Sequence, residues 1–452
     1  MIDGLGDHNH KDLECTYNST EILKFNIDQT PLQKANIPVM NAIAKTGICG
    51  QHDPVQSGLA CGSDTAHMAV FGYNPIKLYN GRGAFETMGA GVEMSKDDIA
   101  FKCNFSFIND DTNIVERRRV ARDFEWGIPL CDALNDLQIP GFEEYIVKCE
   151  YATEHRCGLK VTGKGLSSLI TGSDPLKDNR KLLLCKPLDE QNKEAIFTAN
   201  LINALSNQIR KILTNHPINQ ERKNAGEPYT NLLLMRGCGQ RLNVDSFEST
   251  QGLKAFMIAP TAIIRGTGLT FGIHLKDVEG TTGYYNSNLN NKSIKAVEVF
   301  QQEHYEYGFL HVKAIDDAGH DKNLQMKVTQ LEKVDIALRI IIDELGKKSS
   351  KDEQYIICVT GDHSTPIIVG DHTQEPVPIA ISLISNVHEA LYSSEVNQSV
   401  PDLRKIKDNV SSFNEISCGS LDAALGRYCN INTINTLKLL QQKVLNIIER
   451  PL

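Results

Sequence analysis

No apolar run in this chain of 452 residues approaches the ~20 needed to cross a bilayer. The N-terminus also lacks the charged-then-apolar pattern of an export signal. Cysteine is plentiful at twelve residues, yet no two stand in a C-x-x-C spacing, so neither a zinc ribbon nor a thioredoxin-like pair is expected. Thiols without a visible disulfide framework suit a reducing compartment, and the cytoplasm is the expected location. Positive charge is in deficit: 47 Lys and Arg against 56 Asp and Glu leave −9. That balance argues against nucleic acid or an anionic membrane as partner. A dinucleotide fingerprint is missing as well. "GRGAFETMGAG" has Glu86 where the third glycine belongs, and "RGCGQRL" has Leu242. Both glycine runs read as tight turns.

What remains is a soluble globular composition, 41% hydrophobic and 23% charged, in a chain too long for one simple core. Leu324, Val328, Leu331, Leu338, Ile341 and Leu345 recur at three- and four-residue steps and predict a helix from about Leu324 to Leu345. The β-rich run "YGFLHVKAI" precedes it. The polar loop "GKKSSKDEQ" and then the apolar "YIICVT" follow it. Strand, helix, loop, strand is a βαβ unit, which implies an α/β fold with a parallel sheet. Residues 78–237 have another texture, with charged segments such as "VERRRVARDFEW" beside helix-like "EAIFTANLINALSNQIRKIL". They read as a second domain inserted between 1–77 and 238–452.

Four segments carry acid–histidine pairs or an acid at an expected strand end: "MIDGLGD", "GSDTAH", "IDDAGH" and "GDHSTPIIVGDHTQEPVPI". The last two follow the two strands of the βαβ unit. They therefore lie at carboxyl ends, where open α/β sheets bind ligands. Asp316 and His320 are four residues apart, so a helical turn puts both on one face. Asp362, His363 and His372 occupy the neighbouring loop. Singly, each pair is a common surface turn; together, at adjacent strand ends, they favour a metal site, and carboxylate with imidazole suits zinc, manganese or a similar ion. Ser63 is the candidate nucleophile, at the start of a helix-like run that could face a phosphate. A plain N-cap is its commoner role. Cys61 is a rival, although a thiolate beside such metals would coordinate rather than attack.

In order along the chain, "DGLGD", "GSDTAH", "GRGAFETMGAG", "HPINQER", "KAIDDAGHD", "GDHSTP" and "HTQEPVP" closely resemble the archaeal-type cofactor-independent phosphoglycerate mutases of the alkaline phosphatase superfamily. The resemblance runs from Asp3 to "FNEISCGSL". It implies an alkaline-phosphatase-like core with a central, mostly parallel sheet flanked by helices, plus an inserted α/β domain that covers the substrate. It implies an isomerase of glycolysis and gluconeogenesis that interconverts 3- and 2-phosphoglycerate without 2,3-bisphosphoglycerate. A metal-dependent phosphatase, another phosphomutase or a silent metal-binding protein is the alternative. Carried over, one divalent metal falls to Asp316, His320 and His372, and a second to Asp3, Asp362, His363 and the hydroxyl of Ser63. Manganese is the first expectation, with magnesium, zinc and cobalt as alternatives. Ser63 would become a phosphoserine. A trianionic substrate needs a cationic pocket, for which Arg118, Arg119, Arg122, Arg236, Arg265 and Lys313 are candidates.

The start departs from the family's pattern. Only Met1 and Ile2 precede Asp3, where relatives enter from a longer apolar strand. A short upstream stub is expected to anchor Asp3 weakly. An added Val/Ile-rich extension is then expected to raise metal affinity and thermal stability together.

Overall fold

The run "VPIAISL" has no polar face, and such a strand must be covered on both sides. It forms the strand Val377–Leu383, buried at all seven positions. Ala380 faces a core shared with the helices Pro38–Thr46 and Leu324–Lys348, whereas Ile379 and Ile381 pack with Leu437 and Leu440 of the helix Thr433–Ile448. The structure is a computed structural model that describes residues 1–19, 23–121, 124, 126–349, 353–392 and 408–448.

The chain divides into two compact units, 1–77 with 247–261 and 273–452, and 78–246 with 262–272. In the first, Val377–Leu383 runs antiparallel to both neighbours, Ile356–Thr360 and Ile48–Asp53, and Gly426–Cys429 lies beyond, parallel to Ile48–Asp53. A second group, Tyr307–Leu310, Ala255–Ile258 and His274–Leu275, is parallel throughout. The start of the chain joins the two groups. Ile2 bridges Gly361 and Val312 in parallel sense, with its N–H 2.8 Å from the Thr360 carbonyl and the Asp3 N–H 2.9 Å from that of Val312. The result is a mostly parallel, helix-flanked sheet, as expected, with Val377–Leu383 its one reversed strand among the described residues.

Asp3 is thus held from both sides by backbone bonds. At Met1 the strands Tyr307–Leu310 and Ile356–Thr360 border an apolar cavity of about 580 Å³, lined by Phe300, Phe309, Ile357 and Val359 among others.

The predicted helix is present and longer than its apolar pattern, spanning Leu324–Lys348 with Asn323 capping the Met326 N–H. Lys327, Gln330 and Asp335 are buried on it beside the expected Val328, Leu331 and Ile341. Polar burial of that kind is invisible to an apolar count. Among the described residues, no helix is long and apolar enough to cross a membrane.

The second unit is built on an antiparallel sheet in the order Ile146–Thr153, Arg156–Thr162, Ile99–Asn109, Ile114–Arg117, Arg180–Lys181, and Leu232–Gln240 also pairs with Ile99–Asn109. The 23-residue helix Lys193–Asn215 contributes Leu201, Leu205 and Ile209 to its core. The glycine run does not make only tight turns. Its centre is the helix Gly83–Gly89, packed on Ala262–Thr270 so closely that a Cβ at Gly89 would stand 1.7 Å from the Ala262 carbonyl oxygen. Gly81 and Gly91, with φ of 117° and 109°, are the turns at either side.

Cys131, Cys149 and Cys157 meet in this core with sulfurs within 4.8 Å of one another. All three are buried, and sulfur contacts together with burial hold them well above the usual thiol range. They behave as small apolar side chains.

Candidate metal centre

Sheet geometry sets the site. Asp3 follows Ile2 out of the sheet, Asp316 lies on the helix Ala314–His320 just after Tyr307–Leu310, and Asp362 and His363 follow Ile356–Thr360. The i,i+4 spacing places His320 Nε2 3.3 Å from Asp316 Oδ2, and His372 Nε2 reaches Asp316 Oδ1 at 3.4 Å. His363 Nε2 stands 3.4 Å from Asp3 Oδ1 and 3.3 Å from Asp362 Oδ2. Ser63 is the first residue of the helix Ser63–Val70, whose N-cap is Gly62. Its hydroxyl is not used as a cap. It lies 3.1 Å from His363 Nε2 and 3.5 Å from Asp3 Oδ1.

The three histidines share one orientation. His320 Nδ1 donates to the Gly370 carbonyl at 3.0 Å, and His372 Nδ1 to that of Cys61 at 2.8 Å. Thr365 Oγ1 donates to Asp316 Oδ1 at 2.6 Å and so accepts from His363 Nδ1 at 3.2 Å. With Nδ1 donating away from the site, each Nε2 is turned towards carboxylate oxygens. A proton or a metal ion must lie between the two, and Nδ1 donation leaves Nε2 as the atom a metal would take. His372 Nε2 and Asp362 Oδ2 are buried without a hydrogen-bond partner, as coordinating atoms would be.

Charge points the same way. Burial first, then Asp362, pushes the Asp3 carboxyl well above its ordinary range. Burial and Asp316 likewise raise Asp362. Lys313 lies 3.4 Å from Asp3 Oδ2 and is ion-paired with Asp316. Burial opposes its charge, but those carboxylates hold its ammonium well above the usual lysine value. One ammonium does not balance three buried carboxylates. Asp316, His320 and His372 form one group whose donor atoms lie within 4.8 Å of each other, and Asp3, Asp316 and His363 form another.

The arginine candidates belong to the second unit. Arg118 makes a two-pronged pair with Asp174, Nε to Oδ1 at 2.6 Å and Nη2 to Oδ2 at 2.7 Å. Arg236 Nη1 approaches the same carboxylate at 3.9 Å. Arg119 is exposed and Arg265 half-buried on Ala262–Thr270, while Arg122 lies outside the described residues. Sequence reasoning missed Lys102 and Arg82, which share Glu86 at 2.6 and 3.3 Å. It also missed His67 and His311, both fully buried beside the carboxylates. His67 stood in a quoted motif, one helical turn after Ser63, and that spacing was a usable signal.

A mostly parallel sheet carrying carboxylates, imidazoles and one serine at its strand ends defines an α/β protein with a candidate metal centre. The family model for 2,3-bisphosphoglycerate-independent phosphoglycerate mutase matches residues 44–219. The mutase of that name from Saccharolobus solfataricus is 35% identical over 92% of this chain and 90% of its own, and mutase 1 of Methanocaldococcus jannaschii is 35% identical over 92% and 91%. Among solved structures, a protein from Pyrococcus horikoshii superposes with a TM-score of 0.74 at 28% identity, covering 100% of this chain and 97% of the other. The cofactor-independent phosphoglycerate mutase of Thermoplasma acidophilum gives 0.62 at 28% identity, covering 97% of each. The chain belongs to the 2,3-bisphosphoglycerate-independent phosphoglycerate mutase family and is an isomerase that moves a phosphoryl group within its substrate.

Proposed function

We propose that the chain interconverts 3- and 2-phosphoglycerate by passing the phosphoryl group through Ser63, at a centre of two divalent cations. Asp316, His320 and His372 would hold one cation. Asp3, Asp362, His363 and the Ser63 hydroxyl would hold the other. Supporting the reading are three Nε2 atoms aimed at carboxylates, an unpartnered Asp362 oxygen and a serine hydroxyl 3.1 Å from one of those nitrogens. The donor set is oxygen and imidazole, which suits manganese first and magnesium, zinc or cobalt as alternatives. When bound, the cations ease loss of the Ser63 proton and neutralise charge on the transferring group.

The chain's own residues do the rest. The start of the helix Ser63–Val70 presents the hydroxyl, and Asp3 and His363 fix its direction. Lys313 keeps a positive charge where Asp3 and Asp316 converge, a place for a phosphoryl oxygen. Glycerate must be retained while Ser63 carries the phosphoryl group, and water must be kept away. Arg118, Arg236 and Lys102 are the cations we assign to the substrate's anionic groups, with the second unit as substrate cover. Arg118 is already committed to Asp174, so Arg236 is the stronger candidate.

The single observation that carries the reading is the position of Ser63 Oγ, 3.1 Å from His363 Nε2 and 3.5 Å from Asp3 Oδ1. The test is a coupled assay of 3-phosphoglycerate conversion without 2,3-bisphosphoglycerate, run on chelator-stripped protein with and without added manganese. Formation of 2-phosphoglycerate only with the metal is expected. Release of inorganic phosphate alone would overturn the mutase reading in favour of a phosphatase.

A further inference from the structure

Two buried histidines lie against the proposed ligands without belonging to either set. His67 is four residues beyond Ser63 on the same helix, and its Nδ1 is 2.6 Å from the Ser63 carbonyl oxygen. A carbonyl only accepts, so Nδ1 carries the proton; the same atom stands 3.6 Å from Asp362 Oδ2. His311 follows the strand Tyr307–Leu310, and its Nε2 is 3.1 Å from Asp3 Oδ2. A carboxylate accepts, so there Nε2 carries the proton.

Both rings are fully buried and clamped by neighbours. Their centroids are 5.1 Å apart, edge to face, and Phe309 meets His67 at 5.5 Å. The His311 N–H orients the Asp3 carboxylate it meets, and the His67 N–H orients the Ser63 carbonyl and with it the helix start.

We infer that His67 and His311 are positioning residues of the metal centre, His67 setting Ser63 through its carbonyl and His311 setting Asp3. The inference rests on the assignment of Asp3 and Ser63 to the metal centre. Through these contacts the helix start that presents the nucleophile and the strand end that presents Asp3 are registered to one another. An error of a fraction of an ångström in either would misplace the Ser63 hydroxyl against the phosphorus.

The test compares paired variants of the full chain. His311→Phe and His67→Phe keep a ring and remove the donor. His311→Gln keeps an N–H near the Nε2 position, and His67→Asn keeps one near Nδ1. Manganese affinity is measured by titration, and kcat and KM for 3-phosphoglycerate at saturating manganese. The phenylalanine variants are expected to bind manganese roughly 10–100-fold more weakly, with the loss at saturation in kcat more than KM. The Gln and Asn variants are expected to recover most of both. Equal behaviour of the Phe variant and its amide counterpart would overturn the inference and leave the histidines as core packing. Asp3→Ala serves as the reference. If it binds manganese normally, the ligand assignment fails and takes the inference with it. If it loses manganese while His311→Phe does not, only the inference fails.

Discussion

The hydroxyl of Ser63 lies 3.1 Å from Nε2 of His363, and that nitrogen is also within 3.4 Å of both Asp3 and Asp362. A serine beside one imidazole nitrogen and two carboxylates, and not capping its helix, is placed for the role we propose for it. Replacing it should separate chemistry from binding, because it is one proposed ligand among several and, among the described residues, the one hydroxyl presented there by a helix start. Ser63→Ala is expected to lower turnover by on the order of 10⁴-fold or more while most manganese binding survives. Cys61 is a poor nucleophile in this arrangement. Burial first, and then Asp362, pushes its thiol well above the usual range, so thiolate is scarce. Cys61→Ser should keep most activity. Phosphopeptide mapping of quenched wild type should find the label on Ser63, and a label on Cys61 would reverse the assignment.

Arg236 and Arg119 are predicted to differ sharply, although both were arginine candidates. Arg236 is half-buried on Leu232–Gln240, with burial and then Arg82 depressing its guanidinium, whereas Arg119 is exposed. A partly desolvated guanidinium beside other cations gains most when an anion arrives. Arg236→Ala is expected to raise KM for 3-phosphoglycerate roughly 10–100-fold, the equivalent of a charged hydrogen bond. Arg119→Ala should change it by about 2-fold or less. Initial-rate kinetics on the two variants decide it, and equal effects would remove Arg236 from the substrate role.

Much of this centre could be read in the sequence because helix geometry turns spacing into position. Asp316 and His320, four residues apart, share one face of Ala314–His320 as expected. The long helix and its two flanking strands were legible for the same reason. Other features have no local signature. Arg118 and Arg119 look alike in "ERRRVAR", and only Asp174, 56 residues away, decides which of them is held. Lys102 sits in an apolar strand and needs Glu86 to explain it. A single histidine in "FLHVK" looks like any core histidine until Asp3 arrives from the other end of the chain. The glycine run misled because close helix packing and tight turns both require glycine, and a sequence does not say which constraint applies.

Stability should depend on pH through Glu415. Its Oε1 accepts the Asp7 N–H at 3.1 Å and its Oε2 the Thr30 hydroxyl at 2.7 Å, but burial dominates and lifts the carboxyl to about 7. A carboxyl raised on folding binds its proton more tightly in the native state. Its contribution is therefore complete below the ordinary value of 4.5 and is lost as pH rises through about 7. Glu415→Gln mimics the protonated form at every pH. Relative to wild type, the variant is expected to gain roughly 1–3 kcal/mol between about pH 4.5 and about pH 8. Denaturant melts across that window test it, and a pH-independent difference would show that Glu415 is ionised throughout.

The last prediction concerns what holds the metal loops in place. Lys327, on the long helix, is fully buried, with its ammonium 2.8 Å from Asp7 Oδ2, 3.0 Å from the Thr365 carbonyl and 3.3 Å from that of Gly6. Asp7 in turn accepts the Ile367 N–H at 3.2 Å and pairs with His10 at 2.9 Å. One lysine therefore ties "DGLGD", which carries Asp3, to "GDHSTP", which carries Asp362 and His363. A buried pair of this kind adds little net stability when intact. Removing one member strands the other, at a cost of roughly 3–5 kcal/mol. Lys327→Met fills the space and leaves Asp7 without its ammonium. It is expected to lower the melting temperature and to weaken manganese binding together, although Lys327 touches no proposed ligand. Asp7→Asn in the same background should return part of the stability by removing the stranded charge. If Lys327→Met melts lower but binds manganese as wild type does, the two loops are held in register by other contacts, and the lysine serves the core alone.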